Sequence, residues 1–211
     1  MREREERENA KTPEEETEDW RRRLEKAYSA IRRTQTTAER LVLGHQHMYG
    51  ELRRAPQIRL LQIFKRDCGL NSESVFVDLG CGLGKMVYLA SVCGVQKSIG
   101  IEVVPEHLAT ARNSMERLKA ENVELIEGDI KDNLRKIGKV THLYAFDILF
   151  SKKTMSVIYA FLRKHKGIYF ASFRKPTEMF KQRLNVQVLE KITGDMARVK
   201  ESHICYIYKI V

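Results

Sequence analysis

Val75-Phe76-Val77-Asp78-Leu79-Gly80-Cys81-Gly82-Leu83-Gly84-Lys85 is the stretch of this 211-residue chain on which the rest of the reading turns. A short apolar run, rich in branched and aromatic residues, predicts a buried strand. It ends in an acid, and a three-glycine turn then opens a helix through Met86 to Val92. Glycine permits tight turns and close approach of backbone to a ligand, and the first N–H groups of a helix have no partner within it. Strand, turn and helix together predict a ligand crevice at the carboxyl end of a sheet.

The chemistry of that crevice follows from what the turn lacks. A dinucleotide-binding turn would need its third glycine at position 85, where this chain has Lys85; its own glycines, Gly80, Gly82 and Gly84, run G-x-G-x-G. A pyrophosphate also gains little from an acid at the strand end, whereas Asp78 suits the cationic amino group of a methionyl moiety. A glycine turn without a ligand is the bland alternative, and two further acids weigh against it. Glu102 closes the second predicted strand, where an acidic side chain binds ribose hydroxyls. Asp129, in Glu127-Gly128-Asp129-Ile130, stands just past the third strand, placed to accept from an adenine amino group with Ile130 against the ring. Taken alone, Asp129 reads as a loop-capping residue.

Outward from this core, apolar runs alternate with amphipathic stretches. Strands are expected at 75–77, 98–101, 123–126, 141–146 and 168–171, with helices from Pro105 to about Leu118 and through Met155, Ile158 and Phe161. Such alternation predicts a doubly wound, Rossmann-like α/β sheet with right-handed crossovers. Two last strands, 186–192 and 204–210, joined by a Gly194-Asp195 turn, would add an antiparallel pair and bring the sheet to seven strands. Upstream, Thr12-Pro13-Glu14-Glu15 marks a helix start, and Trp20, Leu24, Ala27, Ile31, Ala38 and Leu41 continue one apolar stripe to about Leu43. The expected organisation is a frayed tail over 1–12, a helical extension with a lid loop over 13–66, and the α/β domain over 67–211.

Net charge is +10 and is unevenly placed: residues 1–40 balance, residues 41–144 carry +2, and residues 145–211 carry 13 basic against 5 acidic side chains. Lys152-Lys153 and Arg163-Lys164-His165-Lys166 are the densest runs. They read either as a solvated face or as a surface for phosphate or an acidic protein patch. Four scattered cysteines suggest reduced thiols, His45 and His47 have no metal-ligand partners, and no apolar run reaches bilayer length. No metal and no membrane contact are expected, and a monomer is.

Two further segments, Met48-Tyr49-Gly50-Glu51 and Ala145-Phe146-Asp147-Ile148-Leu149-Phe150, accompany the D-L-G-C-G-L-G-K turn and the I-G-I-E strand. Together, over about residues 45–176, they resemble the Dot family (disruptor of telomeric silencing), class I S-adenosylmethionine-dependent methyltransferases that modify a lysine on the globular core of histone H3. The resemblance implies S-adenosyl-L-methionine as cofactor, histone H3 or the nucleosome as substrate, contact with nucleosomal DNA through the basic third, and a nuclear place in a eukaryotic cell. It implies that Tyr49, Gly50 and Glu51 lie over the methionine part of the cofactor, with Tyr49 walling the lysine channel. It also maps Glu102 to the ribose and Asp129 to adenine. In the family the segment after the fourth strand carries polar residues where this chain has Phe146 and Asp147, and Lys85 replaces a common glutamine. Asp147 is expected to orient the incoming ammonium. The absence of proline in Phe146-Asp147-Ile148-Leu149 argues against a base-flipping amino methyltransferase. RNA, or a non-histone basic protein, remains an alternative substrate, and a cofactor-free binding module is the alternative of another class.

Overall fold

The computed structural model describes residues 13–35, 51–195 and 202–211. Among them, helices α1 (Pro13–Thr34) and α2 (Arg54–Asp67) precede strand β1 (Val75–Leu79). Then follow α3 (Lys85–Val92), β2 (Lys97–Glu102), α4 (Pro105–Arg117), β3 (Val123–Glu127) and the one-turn α5 (Ile130–Asn133). After these come β4 (His142–Ala145), α6 (Lys152–Lys164), β5 (Tyr169–Ser172), α7 (Pro176–Lys181), β6 (Val186–Asp195) and β7 (Ser202–Ile210). The strands form one sheet in the order β3-β2-β1-β4-β5-β7-β6. Strands β1 to β5 are mutually parallel, and β7 runs antiparallel between β5 and β6. This is the doubly wound, seven-stranded sheet expected from the alternation of elements.

Strand β1 is buried throughout because helices cover both faces, and its alternating side chains feed two cores. Phe76 packs in one with Phe64, Leu89 and residues of α1 and α2, including Leu24, Tyr28 and Leu61. Val75, Val77 and Leu79 enter the other with Ile158, Phe161 and Leu162 of α6. The N-terminal helices therefore complete one face of the sheet. The chain order reverses on either side of β1, with β2 to one side and β4 to the other, so a crevice opens at their carboxyl ends.

Two sequence expectations are corrected. Helix α1 ends at Thr34, and Ala38, Leu41 and Leu43, expected to continue it, lie outside the described residues. The Thr34 hydroxyl lies 2.8 Å from Ser114 Oγ on α4, and the Gln35 side-chain amide donates to the Leu83 carbonyl at 2.8 Å. Gly194 and Asp195 do not form a turn: they continue β6, opposite His203 and Ser202 of β7. Glycine suits position 194, since a Cβ there would lie 2.6 Å from Leu52 Cδ2 and push that side chain aside.

His142, at the start of β4, is buried between the Phe64 and Tyr169 rings, with Nε2 3.0 Å from the Cys68 carbonyl. Burial pushes its pKa down to about 4, partly offset by that hydrogen bond. A base held neutral in the fold contributes stability that is full above its ordinary value of 6.5 and is lost as pH falls toward 4. His142→Gln, neutral at every pH, should therefore narrow its stability gap to the parent by roughly 2 kcal/mol between pH 7 and pH 5. Urea unfolding at the two pH values checks this, and a constant gap would show that His142 is not held neutral by burial.

Candidate active site

At the reversal point the backbone folds into a tethered loop. The N–H groups of Gly80 and Cys81 both donate to the Ile101 carbonyl, at 2.8 and 3.0 Å. Gly80, Gly82 and Gly84 all have positive φ (75°, 52° and 77°), a region in which side chains are strained. Gly84 is also needed for packing, since a Cβ there would stand 2.9 Å from Met115 Cε and 3.1 Å from Ala111 Cβ of α4.

Glu102 braces this turn. One carboxylate oxygen accepts from the Gly82 N–H at 2.8 Å and the other from the Val104 N–H at 2.9 Å. A carboxylate accepts about four hydrogen bonds, so Glu102 retains capacity for two hydroxyl donors while holding the loop.

Asp78 is buried, and its Oδ1 has no hydrogen-bond partner among the described residues. Burial, reinforced by the Glu102 carboxylate, pushes its pKa well above the usual carboxylate range. A pocket beside it is lined by Glu51, Gln57, Gly80, Lys85, Met86, Tyr144 and Phe146. Gln57 donates through Nε2 to the Leu52 carbonyl at 2.6 Å, which leaves its buried Oε1 without a partner among the described residues. Lys85, the first residue of α3, is buried and places Nζ 2.5 and 2.6 Å from the two Glu51 oxygens.

Asp129 and Ile130 sit at the third strand's end. Asp129 caps α5, accepting from the Lys131 N–H at 2.8 Å, and its other oxygen lies 2.9 Å from Lys131 Nζ. Partial desolvation pushes its pKa up, but the Lys131 contacts prevail and hold the carboxyl below its ordinary value. The capping role read from the sequence is thus present, and the half-buried carboxylate keeps room to accept further bonds. Ile130 is buried in the core with Ile101. Tyr49 and Gly50 lie outside the described residues.

The methyltransferase domain family model matches residues 70–203. The chain belongs to the methyltransferase domain family. A histone-lysine N-methyltransferase of Cryptococcus neoformans, H3 lysine-79 specific, is 36% identical over 108 residues, covering 46% of this chain and 16% of the relative. Its counterpart in Kluyveromyces lactis is 25% identical over 182 residues, 78% of this chain and 31% of the relative. The chain thus spans less than a third of the length of either. Among solved structures, the M1A22 tRNA methyltransferase TrmK of B. subtilis shares the fold, with a TM-score of 0.53 and 11% identity over 72% of this chain and 65% of that one.

The class I methyltransferase fold implies an S-adenosylmethionine-type cofactor, and the residues present suit one. Two buried acceptors without partners among the described residues, Asp78 Oδ1 and Gln57 Oε1, call for a donor such as an ammonium group. The positive-φ glycines bring backbone close to the same space, and Glu102 offers acceptors to a ribose. Among the described residues no group of His, Cys, Asp or Glu could hold a metal ion.

Asp147 requires a correction. It is fully buried and does not line the pocket. Its Oδ2 accepts from the Ser172 hydroxyl at 2.5 Å and its Oδ1 from the Phe173 N–H at 2.9 Å, while Arg174 donates to its carbonyl at 2.7 Å. Burial raises its pKa to about 6 against the pull of these bonds. The side chain therefore ties the end of β4 to the end of β5 instead of receiving a substrate ammonium. Phe146, its neighbour, does line the pocket and packs edge-on against Phe173 at 4.8 Å. Gln57 was missed in the sequence. Its signal is a polar residue on the buried stripe of α2 that includes Leu60, Leu61 and Phe64.

Asp78→Asn should lower affinity for S-adenosylhomocysteine at least tenfold, the consequence of losing a hydrogen bond to a charged group. Asp78-linked stability is present in acid and is lost as pH rises through the raised pKa. The cofactor-free variant should accordingly gain on the parent toward neutral pH. Calorimetry and thermal melts check the pair, and unchanged affinity would remove Asp78 from the cofactor site.

Asp147→Asn should destabilise the protein by about 1–3 kcal/mol, since an amide cannot accept from both donors, and should change cofactor affinity far less. Unaltered unfolding with sharply reduced turnover would instead place Asp147 at the methyl acceptor.

Proposed function

We propose that this methyltransferase acts on a lysine side chain of a basic protein, with the globular core of histone H3 in the nucleosome as first candidate. One observation carries this reading: the relatives from Cryptococcus and Kluyveromyces, matching 46% and 78% of the chain, are histone H3 methyltransferases. When bound, the cofactor supplies an electrophilic methyl group. The protein must then deliver an uncharged amine, and a free lysine has a pKa of about 10.4. Phe146, backed by Phe173, offers an apolar wall at the pocket that would exclude water and favour the neutral amine. Asp147, completely buried and outside the pocket lining, is not placed to take the proton. Positioning and desolvation, not a strong general base, carry the step.

The basic third divides into two surfaces. Lys152 and Lys153 are exposed in the first turn of α6, whereas Arg163 and Lys164 lie in its last turn, about 18 Å away at 1.5 Å per residue. Because α6 follows β4, its first turn lies at the crevice edge of the sheet. Exposed Lys175, at the start of α7, lies at the same edge. These three lysines suit nucleosomal DNA flanking the substrate lysine.

Labelled cofactor offered in parallel with free histones, nucleosomes and RNA tests the reading, the expected outcome being label on a lysine of nucleosomal H3. Lys152→Gln with Lys153→Gln should reduce the log–log salt slope of nucleosome binding by about 0.9 for each phosphate that is no longer neutralised. Label on RNA alone would overturn the proposal in favour of an RNA methyltransferase.

A further inference from the structure

The pocket between Asp78 and Lys85 is divided electrically. On one side stand two acceptors without partners among the described residues, Asp78 Oδ1 and Gln57 Oε1. On the other stands a buried ammonium, Lys85 Nζ, at the N-terminus of α3. A cation is disfavoured there by the helix dipole, and burial makes a counter-ion obligatory. The arrangement is complementary to an α-amino acid zwitterion, whose ammonium and carboxylate would meet the two sides. One side is already occupied, since the Glu51 carboxylate grips Lys85 through both oxygens, at 2.5 and 2.6 Å, from the wall of the same pocket.

The backbone beside Glu51 is anchored more firmly than its side chain. The next residue, Leu52, is completely buried, seated where Gly194 of β6 leaves room, and its carbonyl accepts from Gln57. The Glu51 side chain itself remains 18% accessible, against 5% for Lys85, so solvent lies on the acid's side of the pair.

We propose that Glu51 is an internal stand-in for the cofactor's carboxylate. It neutralises Lys85 in the cofactor-free protein and is displaced when the amino acid end of the cofactor enters. Lys85 is then a specificity-determining residue, which exchanges one carboxylate for another without ever burying an unmatched charge. The inference deepens the reading of this pocket as a cofactor site and rests on it. Two consequences follow. Cofactor binding is opposed by an intramolecular competitor, and a ligand lacking the carboxylate gains nothing from Lys85.

Calorimetric titration with S-adenosylhomocysteine and its decarboxylated analogue, on the parent, Glu51→Gln, Lys85→Met and the double variant, tests this. Glu51→Gln should bind the homocysteine compound about tenfold tighter, and Lys85→Met about tenfold weaker, the effect of one charge-assisted hydrogen bond. The parent should prefer the homocysteine compound over the decarboxylated one by at least tenfold, and Lys85→Met should lose that preference. The double variant removes both members of the pair together, so it gives the same answer if Lys85→Met alone folds poorly. Weaker binding by Glu51→Gln would show that Glu51 holds the cofactor directly and would overturn the proposal. A preference retained in the double variant would overturn it as well. Failure of the parent to bind either compound would instead remove the cofactor reading, and this inference with it.

Discussion

The structure depends on one tether. The turn after β1 has to leave the sheet, reverse, and start a helix within a few residues, and it does so by hanging two N–H groups on the Ile101 carbonyl of the neighbouring strand. The next residue, Gly82, is caught by the Glu102 carboxylate from the end of that same strand. The β1–β2 pairing therefore sets the shape of the loop as well as the sheet. Gly100, in the middle of β2, belongs to the same constraint: a Cβ there would stand 2.6 Å from Cys81 Sγ and 2.9 Å from Val87 Cγ2. The turn, the helix it opens and Glu102 are consequently one mechanical unit.

Features of that unit were legible because they are local. The apolar run, the terminal acid and the glycine spacing occupy eleven consecutive residues, and their geometry follows from backbone sterics. The strand order was legible for a similar reason, since alternating strands and helices leave few right-handed solutions. What stayed hidden depends on distant partners. Asp147 reads as an exposed acid near a site until Ser172, Phe173 and Arg174, 25 to 27 residues later, surround it. Gly194-Asp195 reads as a turn until Leu52, from the other end of the chain, occupies the space a side chain would need. Helical periodicity in the sequence likewise continues past Thr34, whereas Thr34 and Gln35 are bonded to Ser114 and Leu83, 80 and 48 residues away. In each case a long-range contact overrides a sound local signal.

The pocket illustrates why functional sites break the rules that hold elsewhere in a core. Buried polar groups are normally satisfied, yet Asp78 and Gln57 each leave an acceptor without a partner among the described residues, within one small space. A ligand with several donors would resolve both, and binding free energy would be recovered there. Lys85 shows the opposite solution, a buried charge matched at rest by Glu51. The two sides of one pocket thus handle the same problem differently. Two unmade hydrogen bonds are tolerable in an interior, whereas an unpaired buried ammonium would cost several kcal/mol.

Buried titratable groups outside the pocket act on stability in opposing directions. His142 is held neutral, with its pKa near 4, so falling pH withdraws stability between 6.5 and 4. Asp147 has its pKa raised from 3.8 to about 6, so falling pH adds stability across nearly the same interval. Over the shared range the folded protein binds fewer protons than the unfolded chain at His142 and more at Asp147, and the two contributions largely cancel. Both residues belong to the β4 segment, one at its first position and one just past its last. A group buried at the strand's apolar start favours its neutral base, and a group buried at its polar end favours its neutral acid. Desolvation is the common cause, and the opposite signs come only from which protonation state carries the charge.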